Sequence, residues 1–286
     1  MVGLRDWLVS MLHHALAIAF LGALVMAPVI AALAAVKRSS FTPPQSLLFF
    51  VAVLLTRVLW RARLPEQLPL PSGQGAVLVC NHRSSVDPFF IQVCSSDRPI
   101  HWMVAREYCE HPALRWFLRT CEVIPVSRRG VDTAATRSAI RLAASGGFVG
   151  MLPEGRINMS DQFMTPVRPG AVMVAIKARV PIVPVYIDGS PFDGTVWGAL
   201  RMAAKVRVHV GKPIDLSPYH GSEKEEGVAA SLMVDVVKQI ANLAGRADFR
   251  PQLAGRHWRP SHEEQRALVK SVQRKISEQR KSQVRG

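Results

Sequence analysis

Beyond Pro71 short apolar runs alternate with segments of helical period, and this alternation limits the fold more than any other feature of the chain. Residues 75–80 (GAVLVC), 122–126, 148–152, 182–187 and 205–210 read as strands. Helices are expected from Pro88 to Val93 and over residues 133–144 and 170–179. Strand and helix in alternation form a parallel sheet whose crossovers cover both faces. The expected architecture is therefore α/β, a mostly parallel sheet flanked by helices. A chain of 286 residues holds one such core with appendages. The boundaries drawn are 1–63 for an N-terminal hydrophobic segment, 64–250 for the α/β domain and 251–286 for a basic tail.

Residues 15–36 (ALAIAFLGALVMAPVIAALAAV) carry no charge and are long enough to cross a bilayer as a helix, with Pro28 as a point of bending. A second apolar stretch, residues 47–55, is too short to span alone and ends in Arg57, Arg61 and Arg63, with Trp60 among them. Pro43 and Pro44 separate the two stretches, so a single span and a hairpin dipping into one leaflet both fit. A secretory leader fits less well, because the run exceeds the usual hydrophobic core of one and is followed by Lys37 and Arg38, a cytoplasmic type of flank. A buried core helix fits poorly too, since a helix apolar all round needs protein on every side. The first 63 residues are thus expected to anchor the chain to a membrane, with the α/β domain facing the cytoplasm.

Charge points the same way. Thirty-six Lys plus Arg against 21 Asp plus Glu give a net +15, which calls for a polyanionic partner. Membrane phospholipid is favoured over nucleic acid, because 49% of residues are hydrophobic and no basic stretch is interleaved with aromatics as a single-strand platform requires. From Arg246 onward eleven Lys plus Arg face four Asp plus Glu, and Leu268, Val272 and Ile276 recur at helical spacing, a form suited either to anionic headgroups or to a solvated tail. Cys80, Cys94, Cys109 and Cys121 make no paired motif and read as reduced thiols, Cys80 as a small core residue. No metal site is expected: His257 and His262 have half the spacing of a zinc site but no cysteine pair to complete it.

The chemistry concentrates in residues 80–88, Cys-Asn-His-Arg-Ser-Ser-Val-Asp-Pro. A buried strand ending at Asn81 leaves His82 at its carboxyl edge, where open α/β sheets hold ligands. Asp87 before Pro88 looks like a helix N-cap. On one helix residues five apart would diverge, so His82 and Asp87 can meet only across a turn, and the strand-turn-helix pattern supplies one. The carboxylate would then fix one imidazole nitrogen and leave the other as a base. A plain cap and a plain strand-end histidine remain alternatives on spacing alone.

The Asn-His-x4-Asp block resembles the first motif of the glycerolipid acyltransferases typified by 1-acylglycerol-3-phosphate O-acyltransferase. Three further blocks follow in that family's order: Ile124-Pro125-Val126-Ser127-Arg128-Arg129, Leu152-Pro153-Glu154-Gly155 and Val180-Pro181-Ile182-Val183-Pro184-Val185. Four ordered blocks are far more specific than one. The resemblance implies that His82, oriented by Asp87, takes the proton of an acceptor hydroxyl, which attacks an acyl thioester carried by coenzyme A or acyl carrier protein. No cofactor and no protein nucleophile are implied, so Ser84 and Ser85 receive no such role. Arg128 would hold the phosphate of a lysophospholipid, and Glu154 with Gly155 and Arg156 its glycerol and phosphate region. One departure stands out: Arg156-Ile157 replaces the family's Thr-Arg, so an arginine comes one position early. That leaves glycerol 3-phosphate or another lysolipid as alternative acceptors, and a non-catalytic membrane-binding protein as the alternative of another class. Arg168, ahead of Pro169 and Gly170, is a candidate to assist at a helix start, although a plain surface position suits it better.

Overall fold

Ala76–Cys80 (β1) is the centre of the molecule, five small or branched apolar residues that are all buried. Such a strand needs cover on both faces, and two hydrophobic clusters provide it. The computed structural model describes residues 39–255 apart from 66, 129–131, 223, 224 and 226, together with isolated helical positions toward each end. The uncharged run at 15–36 and the tail carrying Leu268, Val272, Ile276, His257 and His262 lie almost wholly outside the described residues.

The sheet has six strands in the order β3-β2-β4-β1-β5-β6, where β2 is Ile100–Ala105, β3 Ile124–Val126, β4 Phe148–Met151, β5 Ile182–Asp188 and β6 Arg207–Val210. The first five run parallel and β6 closes one edge antiparallel to β5. Pairing of Val79 with Met151 brings the ends of β1 and β4 nearly level, while β5 runs on past the Cys80–Val185 pair to Asp188. Because β1, β3, β4 and β5 are parallel, the segments after all four emerge on one edge, the place where such sheets bind ligands.

Among the described residues, seven α-helices flank the sheet: α1 Pro43–Leu54, α2 Asp87–Val93, α3 Arg106–Glu110, α4 Pro112–Thr120, α5 Thr133–Ala144, α6 Gly170–Ala178 and α7 Val228–Leu243. Asp132 caps α5 by accepting the Ala134 and Ala135 N–H groups. Of these, α5 fills the expected 133–144, and α6 and the strands differ from expectation by one or two residues at their ends. Glu122, placed at the start of a strand by the sequence reading, instead takes a left-handed turn at φ 50°. Asp87 is the first residue of α2 rather than its N-cap, a position held by Val86, because the carboxylate bonds backward into the preceding turn instead of forward into the helix.

The boundary drawn at residue 63 crosses packed structure. Helix α1 continues through a π-helical turn, Leu55–Leu59, into Trp60, which is fully buried, edge-on to Phe89 and Phe90, and donates from Nε1 to the Ala199 carbonyl. Truncating such a side chain costs about 3–5 kcal/mol. Arg63 exchanges backbone hydrogen bonds with Val206 and Val208 beside β6. Residues 60–63 therefore belong to the α/β core. Among the described residues, no helix is long and apolar enough to cross a membrane.

Candidate active site

Asn81 ends β1 by a two-point bond to β5: its amide donates to the Ile187 carbonyl at 2.9 Å and its side-chain oxygen accepts the Ile187 N–H at 2.8 Å. This fixes the exit of the strand and presents His82 at the carboxyl edge. His82 Nδ1 lies 3.0 Å from Asp87 Oδ2. The same oxygen accepts the N–H groups of Arg83 at 2.7 Å and Ser84 at 2.8 Å. A turn thus brings together the two residues that spacing on one helix would separate. Asp87 is fully buried, while the His82 side chain keeps 14% of its surface exposed. An ionised carboxylate only accepts, so Nδ1 carries the proton and Nε2 keeps its lone pair.

Glu154 follows β4 and is buried against the other side of the histidine. Its Oε1 accepts the His82 N–H at 2.8 Å, and its Oε2 accepts both the N–H and the hydroxyl of Thr165 at 2.8 Å. Burial raises the Glu154 pKa above its usual value, against the opposing pull of the Thr165 donors and the His82 N–H. The loop after Glu154 also holds His82 from its carbonyl, through the Asn158 N–H at 2.7 Å. Arg83 closes the same loop by donating to the carbonyls of Asn158, Ser160 and Gln162. The carboxylate expected to meet the acceptor glycerol thus faces protein donors. Gly155 supplies the turn behind it at φ 67°, a left-handed conformation that side chains resist.

These groups open onto a cavity of about 2430 Å³ lined by His82, Arg128, Glu154, Gly155, Arg156 and Arg168, among others. Arg128, beyond β3, lies with its guanidinium 5.5 Å over the Tyr108 ring. Asp132 sets that segment by accepting the Ser127 N–H at 2.9 Å, and the Ala135 and Ser127 N–H groups hold its carboxyl below the ordinary range. Arg156 is half-buried in the wall, and Arg168 reaches toward Gly155 instead of standing apart on the surface. A further part of the wall is apolar and comes from α1, α2 and α4, where Phe41 stacks on Phe49 and Phe89 on Phe117. All six residues singled out from the sequence therefore line or adjoin one cleft, Asp87 from behind His82.

Arg83, Asn158, Thr165 and Ser190 were not singled out by the sequence reading. Arg83 and Ser190 were within reach of it, since one lies inside the first motif and the other just past the carboxyl end of β5. Cys80 is buried and its thiol is pushed well above the usual range by burial and by the nearby Asp87 and Glu154 charges, so it sits in the core and supplies no thiolate. Among the described residues no cluster of histidine, cysteine or carboxylate could hold a metal ion.

The Acyltransferase family model matches residues 61–188. A 1-acyl-sn-glycerol-3-phosphate acyltransferase of Bacillus subtilis is 27% identical over 180 residues, covering 63% of this chain and 86% of that protein. An uncharacterized acyltransferase of Schizosaccharomyces pombe is 26% identical over 134 residues, 45% of this chain and 47% of that one. The crystal structure of the 1-acyl-sn-glycerophosphate acyltransferase PlsC from Thermotoga maritima shares the fold, with a TM-score of 0.50 and 19% identity over 70% of this chain and 79% of that chain. With its first three motifs running into the carboxyl edge of the sheet and the fourth entering β5, the chain is an acyltransferase similar to the glycerolipid acyltransferases.

Proposed function

We propose that the enzyme transfers a fatty acyl group from an acyl thioester to the free hydroxyl of 1-acylglycerol 3-phosphate, with His82 as general base and Asp87 as its orienting partner. The observation that carries this reading is the 3.0 Å contact between His82 Nδ1 and a fully buried Asp87 at the wall of a large, partly apolar, partly basic cavity. Nε2 accepts the hydroxyl proton as the acceptor oxygen attacks the thioester carbonyl. Collapse of the tetrahedral intermediate breaks the carbon–sulfur bond, and the departing thiolate takes the proton back from Nε2. Atoms and charge balance without a protein nucleophile or a cofactor. The free thiol belongs to coenzyme A or to acyl carrier protein.

Arg128 offers a planar fork to the acceptor phosphate, and Arg156 lines the same cavity. Glu154 acts through His82, whose backbone it holds, while Gly155 leaves room in the wall next to it. The aromatic part of the cavity suits an acyl chain. Membrane association is part of the proposal. Leu47, Phe50, Val51, Leu54 and Val58 recur at helical spacing and are all exposed, with Arg57 and Arg61 nearby, as an interfacial helix on anionic lipid would present them. The catalytic domain then faces the cytoplasm.

An acceptor panel given to the purified enzyme with one acyl thioester tests the assignment. Transfer to 1-acylglycerol 3-phosphate should exceed transfer to glycerol 3-phosphate and to lysolipids without a terminal phosphate. A higher kcat/KM for any of those replaces the acceptor named here.

A further inference from the structure

The orienting carboxylate has a partner outside all four motifs and beyond the stretch matched by the family model, which ends at residue 188. Ser190 Oγ donates to Asp87 Oδ1 at 2.6 Å. The division of labour on this carboxylate is uneven: Oδ2 receives His82 Nδ1, the Arg83 N–H and the Ser84 N–H, whereas Ser190 is the one donor shown on Oδ1 among the described residues. Asp87 is fully buried, so water does not reach Oδ1 to replace a missing donor. Three donors converging on one oxygen let the carboxylate swing about that oxygen. A fourth donor on the other oxygen fixes the plane of the group and hence the direction offered to Nδ1.

We infer that Ser190 is a positioning residue for the transfer reaction, holding the Asp87 carboxylate in the orientation that aims His82 Nε2 into the cavity. Its own placement follows from the fold. Gly189, at φ 74°, turns the chain directly after β5, and β5 is locked to β1 by the Asn81–Ile187 pair one residue before His82. The hydroxyl is therefore set by the same two strands that set the histidine. Ser190 is half-buried, and threonine is the substitution there that keeps a hydroxyl on the same carbon.

The inference rests on His82 and Asp87 acting as proposed, and a double-mutant cycle separates the two. Ser190→Ala, Ser190→Thr, Asp87→Ala and the double variant are assayed as full-length proteins with both substrates saturating, alongside thermal melts. Ser190→Ala should lower kcat about ten- to a hundredfold, the range of one hydrogen bond to a charged group, with both KM values nearly unchanged. Ser190→Thr should restore most of the rate. On the Asp87→Ala background the same change should cost less than about twofold, because the group it positions is gone. An equal cost on both backgrounds overturns the inference, as does unchanged kcat in Ser190→Ala. If Ser190→Ala melts below the assay temperature, Ser190→Cys, a weaker donor of similar size, must show the loss of kcat instead, and parent-like kcat there overturns the inference. Should Asp87→Ala itself turn over normally, the parent reading of the site fails rather than the placement of Ser190.

Discussion

Replacing Asp87 by Asn keeps the shape of the side chain and removes its charge. The amide oxygen can still accept at the Oδ2 position, and the amide nitrogen can donate to Ser190 Oγ, so the turn from His82 to α2 keeps its bonds. The loss falls on the transition state. As Nε2 takes the hydroxyl proton, the imidazole becomes a cation whose nearest atom is 3.0 Å from Oδ2. With the charge centres about 4 Å apart and an effective dielectric near 20, that attraction is about 4 kcal/mol. Desolvation of the carboxylate is already part of the folded state and is the same before and during the reaction. An effect of about 4 kcal/mol on the barrier corresponds to roughly a 10³-fold fall in kcat. The assay is steady-state transfer with both substrates saturating, and the melting temperature should move by only a few degrees because each bond that the Asp87 carboxylate makes in the turn has a neutral substitute. A folded Asp87→Asn enzyme retaining kcat within about threefold of the parent refutes the electrostatic argument.

Three further outcomes are expected. Arg128→Ala should raise the KM for 1-acylglycerol 3-phosphate about tenfold, with Arg128→Lys between and the thioester KM little changed; unaltered acceptor kinetics would remove Arg128 from the phosphate site. The raised pKa of Glu154 makes its contribution to stability complete below its ordinary value and progressively lost as pH rises through the folded one, so the melting advantage of the parent over Glu154→Gln should shrink as pH rises above the ordinary carboxylate range, and a widening gap would contradict the sign. Leu54→Glu with Val58→Glu on the exposed face of α1 and its continuation should weaken flotation with anionic vesicles when residues 1–38 are deleted, a deletion that spares the buried Trp60; unchanged flotation would place lipid contact elsewhere.

The parts of the fold legible in the sequence were those with an unambiguous local signal. β1 is continuously apolar, and α5 begins at a capping aspartate and ends before Gly146 and Gly147. β2 is less legible because His101 interrupts its apolar run; His101 is buried through a bond between its ring and the Glu122 carbonyl, and Trp102 beside it packs against Gly150, where a side chain would have no space. α7 carries its buried face as Leu232, Met233, Val236, Val237 and Ile240, a helical period legible in the sequence although no helix is expected there above. In the site, the meeting of His82 and Asp87 was legible because a strand end and a proline-marked helix start lie five residues apart. The bonds that hold them were not. Thr165 and Ser190 reach the site through loops, from 11 residues beyond Glu154 and 103 beyond Asp87, and only the parallel sheet brings those loops to one edge.

The most direct test of the proposed chemistry is the kcat of purified, folded His82→Ala with 1-acylglycerol 3-phosphate as acceptor. Loss of the general base should lower kcat by about 10²–10⁴-fold while acceptor binding, measured separately, stays close to the parent's. Parent-like turnover in the folded variant would remove His82 from the reaction and, with it, the account of Asp87 as the group that orients the base.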